Sequence, residues 1–146
     1  MQNNIDNEVV FKHEIAMQLR YTDADMQGHI NNTIYFQYYN TAYVEYMNSV
    51  WSSSITGNVS MVVAHIDADF ISSVHIGDKV KVQTAVTHIG NKSFTIIQQL
   101  IDADTGEIRC KGKTIMVAFD FEKQQPVPVP DEWVTAMEAF EQRKLR

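Results

Sequence analysis

Residues 20–40 read RYTDADMQGHINNTIYFQYYN, and the fold turns on how this stretch divides. Its first half gathers Asp23, Asp25, Gly28, His29, Asn31 and Asn32 into one polar run. In its second half the period changes. Tyr35, Tyr38 and Tyr39, continued by Ala42, Tyr46 and Val50, recur at spacings of three and four and draw one stripe on a helix. A helix over residues 32–49 extends ~27 Å at ~1.5 Å per residue, long for so small a chain.

Upstream, Ile15, Met17, Leu19 and Tyr21 alternate with Ala16, Gln18 and Arg20 at strand period. Downstream, Met61–Phe70 places Val62, Ala64, Ile66, Ala68 and Phe70 on one face and Val63, His65, Asp67 and Asp69 on the other. Further strands are expected over Lys79–His88, Phe94–Ile101 and Ile108–Phe121, separated by the short turns HIGNKS and DADTGE. The prolines of QPVPVP then stop the sheet ahead of a terminal helix with Asp131 as its N-cap and a solvated tail, EQRKLR. Short connections favour antiparallel pairing, and one long apolar helix needs a sheet to cover it. The expected class is α+β, an antiparallel sheet of about five strands wrapped around one central helix, plus a C-terminal helix. The open sheet edge predicts dimerisation by strand pairing.

The 146 residues suit one domain: a flexible start over 1–10, a main domain over 11–125 and an extension over 126–146. With 45% apolar and 21% charged residues the composition is that of an ordinary globular protein. The net charge of −6 and the lack of a Lys/Arg cluster exclude nucleic acid as the expected partner. Neither a secretory leader nor an apolar run of membrane-spanning length (~20 residues) is evident, so no membrane partner is expected. A single cysteine, Cys110, forms no intramolecular disulfide and fits a cytoplasmic setting and a small buried side chain.

The pattern D-x-D-x-x-G-H-x-N-N-x-x-Y, formed by Asp23, Asp25, Gly28, His29, Asn31, Asn32 and Tyr35, resembles that of the hotdog-fold acyl-CoA thioesterases of the 4-hydroxybenzoyl-CoA thioesterase type. HIDADFISSVHIGDKVKV and GNKSF also resemble later segments of such proteins, so the likeness spans nearly the whole chain, weakening before residue 11 and after residue 125. It implies hydrolysis of an acyl-CoA to the free acid and coenzyme A by a homodimer or homotetramer, with no cofactor beyond the coenzyme A of the substrate. It assigns Asp25 as the catalytic carboxylate, acting as nucleophile or as base on water. The thioester oxygen falls to a backbone N–H at the helix start, near Asn32, with Asn31 beside it. Gly28, His29 and Tyr35 are then expected around the substrate. His65 is a candidate to reach a partner's pocket across a dimer, and Lys92 and Lys111 are candidates for a basic rim facing the coenzyme A phosphates.

The chemistry suits these residue types. Thioester hydrolysis develops negative charge on the carbonyl oxygen, and a helix N-terminus aims unpaired N–H groups and a positive dipole end at one point. An aspartate is ionised at neutral pH unless strongly desolvated. Simpler roles stand beside these: Asp23 holds the loop through local hydrogen bonds, an asparagine caps the helix, the tyrosine stripe is core, and His65, Lys92 and Lys111 are solvated. No Gly-x-Ser-x-Gly elbow is present, and the histidines at 13, 29, 65, 75 and 88 lack metal-ligand spacing. Two rival functions remain: a hotdog hydratase or dehydratase pairing Asp25 with His29, and a non-catalytic acyl-thioester binding module.

Overall fold

The computed structural model describes residues 9–51 and 57–146. Residues 1–8 of the expected flexible start, and Thr56 of the turn before the second strand, lie outside the described residues. Strand β1 (His13–Met17) leads through a single 3-10 turn, Tyr21–Asp23, to helix α1 (Asn32–Val50). Then come β2 (Val59–Phe70), β3 (Val80–Ile89), β4 (Ser93–Asp102), β5 (Ile108–Asp120), the two-residue β6 (Gln125–Pro126) and helix α2 (Asp131–Glu141). All pairings are antiparallel in the order β1-β3-β4-β5-β2, with β6 beside β5. The chain leaves one sheet edge after β1, crosses the concave face as α1, and re-enters at the other edge as β2.

The expected stripe packs α1 on the sheet: Tyr35, Tyr38, Tyr39, Ala42 and Tyr46 are buried, joined by Met47, and Val50 is half-buried. The inner faces of β3, β4 and β5 meet it with Val82, Leu100, Ile96 and Met116. Close approach is possible because β5 carries Gly112 beneath the helix. A Cβ at that position would stand 2.5 Å from the Tyr39 ring. Buried Gln98 adds a polar tie, donating to the Tyr39 carbonyl at 2.9 Å and to Thr84 Oγ1 at 3.1 Å. The apolar contacts divide into two clusters, one under each half of α1.

Four expectations change. The two faces of β2 are not a simple alternation, because its register against β5 shifts between Val63 and His65. Val63 pairs with Met116 and Ile66 with Thr114, so both face the helix side, while Val62, opposite Val117, faces outward. One inserted residue exchanges the faces. Tyr21 is 88% exposed, since the 3-10 turn ends the β1 alternation before it. Helix α2 begins one residue early, with Pro130 as N-cap. Its tail is not solvated: Gln142 takes a left-handed conformation (φ 58°, ψ 40°), turning the chain so that Ile89 N–H donates to the Leu145 carbonyl at 2.9 Å and Leu145 is buried.

Candidate active site

The loop ahead of α1 is held by Asp23, which is 2% exposed. Its carboxylate accepts from the Tyr38 hydroxyl at 2.6 Å, the Arg20 amide at 3.0 Å and Arg20 Nε at 3.1 Å. Burial pushes its pKa up, but the Tyr38 and Arg20 hydrogen bonds and the Arg20 charge outweigh that and hold the carboxyl below the usual range. The Asp23 carbonyl also receives the Asn31 amide at 3.0 Å. Asp23 thus has the structural role the sequence suggests.

Asp25, two residues on, is exposed and differently held. It closes a small hairpin in which its amide donates to the His29 carbonyl (2.8 Å) and its carbonyl accepts from Gly28 N–H (3.0 Å). Gly28 turns this hairpin at φ +78°, a conformation that side chains with a Cβ resist. Asp25 Oδ1 accepts the amides of Gln27 (2.9 Å) and His29 (3.0 Å), leaving Oδ2 without a hydrogen bond among the described residues. Asp25 and His29 are therefore joined through the main chain, not by the imidazole. The second arm of the hairpin lies against residues 74–76: Ile30 N–H donates to the Val74 carbonyl and Ile76 N–H to the Gly28 carbonyl, both at 2.8 Å. Two imidazoles face each other there, those of His29 and His75, with centroids 4.4 Å apart.

At the start of α1, Asn31 is the N-cap, its Oδ1 accepting Thr33 N–H at 3.0 Å and Thr33 Oγ1 at 2.9 Å. Ile34 N–H closes on the Asn31 carbonyl at 2.9 Å. The amide left open in this first turn is that of Asn32, which meets no acceptor among the described residues. A cleft of about 420 Å³ runs from Asp25 and His29 past Asn31, Asn32 and Tyr35 to Phe70 and Ser72. The buried Tyr35 ring meets the Phe70 ring edge to face at 5.1 Å. On the other side of Asp25 a second groove, about 450 Å³, is lined by Tyr21, Met26, Gly28 and Ile76.

Asp25, His29, Asn31, Asn32 and Tyr35 are thus brought to one cleft, and Gly28 to its neighbour. His65 and Lys92 are not. His65 lies on the outer face of β2, its Nε2 2.8 Å from Asp67 Oδ2. Lys92 sits in the β3–β4 turn, where its carbonyl accepts Ala118 N–H, beside the cluster under the far half of α1. Lys111 faces outward on β5, opposite Asp69. Phe70, Ser72 and His75 were not read as site residues. Phe70 carried a signal, since it ends the face of β2 that holds Ile66 and Ala68; for His75 the sequence has none. Among the described residues no group of three or more His, Cys, Asp or Glu side chains is arranged to hold a metal.

A family described as the thioesterase-like superfamily matches residues 19–137, a span that includes the hairpin, α1, the whole sheet after β1 and most of α2. The chain belongs to this superfamily. It is a thioester hydrolase of the hotdog fold, and the match runs beyond residue 125, where the sequence resemblance weakens. A thioesterase from Thermus thermophilus, solved with coenzyme A and Zn, is 26% identical with a TM-score of 0.80 over 92% of this chain and 98% of that one. A predicted thioesterase from Bacillus stearothermophilus is 25% identical with a TM-score of 0.78 over 87% and 94% of the two chains. The 1,4-dihydroxy-2-naphthoyl-CoA hydrolase of Synechocystis is 22% identical over 124 residues, 82% of this chain and 90% of that protein.

Proposed function

We propose that this thioesterase hydrolyses an acyl-CoA, with Asp25 as the reacting carboxylate and the Asn32 N–H as the donor to the thioester oxygen. One observation carries the reading: the open oxygen of Asp25 and the open amide of Asn32 border the same cleft. The two amides on Oδ1 orient the carboxylate so that Oδ2 faces its reaction partner. As a nucleophile, Oδ2 bonds to the carbonyl carbon, the C–S bond breaks, and water then cleaves the mixed anhydride. As a base, it takes a proton from water, the hydroxide adds to the carbon, and coenzyme A leaves as thiolate. Single turnover in ¹⁸O-water distinguishes the base route from a nucleophilic route in which water attacks the anhydride at the Asp25 carboxyl carbon: the base route places ¹⁸O in the released acid, whereas that nucleophilic route places it in Asp25 and leaves the acid unlabelled.

Coenzyme A in the Thermus relative and the naphthoyl-CoA ester in the name of the Synechocystis relative support an acyl-CoA substrate. The carboxylate supplies the chemistry without a further cofactor. Replacing Asp25→Asn keeps an acceptor for the Gln27 and His29 amides while removing the charge. Turnover should fall by about 10²–10⁴-fold, the usual contribution of a positioned base or nucleophile, with little change in melting temperature. Full turnover in a folded variant takes Asp25 out of the mechanism. A hydratase or dehydratase pairing Asp25 with the His29 ring has less support, because their bond is between carboxylate and backbone.

A homodimer or homotetramer, formed by pairing the β2 edges of two copies, completes the proposal. It is supported by the exposed apolar residues on the inner side of that edge strand, Val63, Ile66 and Phe70. A cytoplasmic setting agrees with the free thiol of buried Cys110.

A further inference from the structure

His75 lies outside the motif, yet it borders His29, whose main-chain N–H and carbonyl both bind Asp25. The His29 N–H donates to Asp25 Oδ1 at 3.0 Å, and the His29 carbonyl accepts the Asp25 amide at 2.8 Å. With both main-chain groups of His29 turned toward Asp25, the opposite edge of its arm is fixed by residues 74–76. His29 and His75 form an antiparallel bridge flanked by the Ile30–Val74 and Ile76–Gly28 hydrogen bonds. Residues paired this way carry their side chains on one face. The two rings accordingly meet at 4.4 Å and 83°, edge to face. His75 is itself tethered: its amide donates to Asp78 Oδ2 at 2.9 Å, and its Nδ1 lies 3.9 Å from the same oxygen.

We propose that His75 is a positioning residue for Asp25, acting through the His29 ring. Contact between the two rings holds the arm that presents the Gln27 and His29 amides to Oδ1, and loss of the His75 ring loosens that arm and disorders the carboxylate. The consequence for turnover rests on the proposed role of Asp25; the consequence for the hairpin does not.

The test compares the full-length wild type with His75→Ala and His75→Phe, the latter keeping an aromatic ring that cannot be protonated. Amide hydrogen exchange at Gln27 and His29, corrected for intrinsic rates, is read at pH 7.5, with kcat and KM for an acyl-CoA beside it. At pH 7.5, His75→Ala should exchange both amides about tenfold faster and lose about tenfold in kcat, with KM within about twofold. His75→Phe should match the wild type at pH 7.5. Wild-type protection in His75→Ala, or a loss of protection in His75→Phe equal to that in His75→Ala, overturns the inference. A wild type that cleaves no acyl-CoA overturns the proposed function instead, and the exchange data still decide this one.

Discussion

The two ends of helix α1 carry the same motif with opposite outcomes. Near its start Tyr38 donates to Asp23 at 2.6 Å; near its end Tyr46 donates to Glu141 at 2.5 Å. Both carboxylates are buried, and burial alone pushes both pKa values up. At Asp23 the added hydrogen bonds and charge of Arg20 reverse the direction. At Glu141 burial prevails over the bonds from Tyr46 and Val86 N–H and the attraction of Arg143 and Lys12, so its pKa stays raised. At each site the balance of donors and nearby positive charge against burial sets the sign. The ends differ as well in what they leave open. At the C-terminal end α2 and the tail close over the helix: Trp133 packs against Trp51 with centroids 5.4 Å apart, and Trp51 N–H caps the Met47 carbonyl. At the N-terminal end the Asn32 amide and Asp25 Oδ2 have no partner among the described residues and lie beside a cleft.

Substitutions that separate the ends sharpen this contrast. The largest effect after Asp25→Asn is expected for Asn32→Pro. Asn32 is the first helical residue, where proline is tolerated because that N–H has no intrahelical partner. Asn31, at φ −62° and ψ 138°, already has the extended conformation that a following proline demands. The variant deletes the proposed oxyanion donor while leaving the fold in place, and kcat should drop by about 10²–10³-fold. An unchanged kcat with an unchanged melting temperature would move the oxyanion site elsewhere.

Next comes Asp23→Asn, which weakens charge-assisted bonds and should lower stability by roughly 2 kcal/mol at pH 7 in urea unfolding. Because the native carboxyl titrates low, its contribution is complete above the unfolded value of about 3.9 and disappears as pH falls through the native one. The wild-type advantage over the variant should therefore vanish in acid. The smallest effect belongs to Glu141→Gln, whose amide oxygen can still accept from Tyr46 and Val86. The raised carboxyl gives most stability below the unfolded value of about 4.3 and loses it as pH climbs through the native value. Stability of the variant, read by urea unfolding between pH 4 and 7, should lack that decline. A decline equal to that of the wild type would show that Glu141 does not titrate as its surroundings require.

The tyrosine stripe, the capping asparagine and the structural Asp23 were legible because each depends chiefly on neighbours within a helical turn or a tight loop. The faces of β2 were not, since a bulge is a relation between two strands. The buried tail was misread for a related reason: its charged letters describe a solvated end, whereas the turn at Gln142 delivers Leu145 to β3. Residues 126–146, set apart in the sequence as an extension, complete the core under one half of α1 through Val129, Trp133, Met137 and Leu145.

By itself, the sequence determined where the helix begins, that an asparagine caps it, that Asp23 braces the loop before it, and that a second carboxylate lies in that loop, since these follow from local periodicity and hydrogen bonding. Tertiary pairing alone decided that Phe70 and Ser72 wall the cleft, that His75 meets His29, and that His65 and Lys92 stand apart from Asp25 within the chain. Strand register fixes those neighbours, and it is set by long-range hydrogen bonds and a bulge that no short window of residues contains.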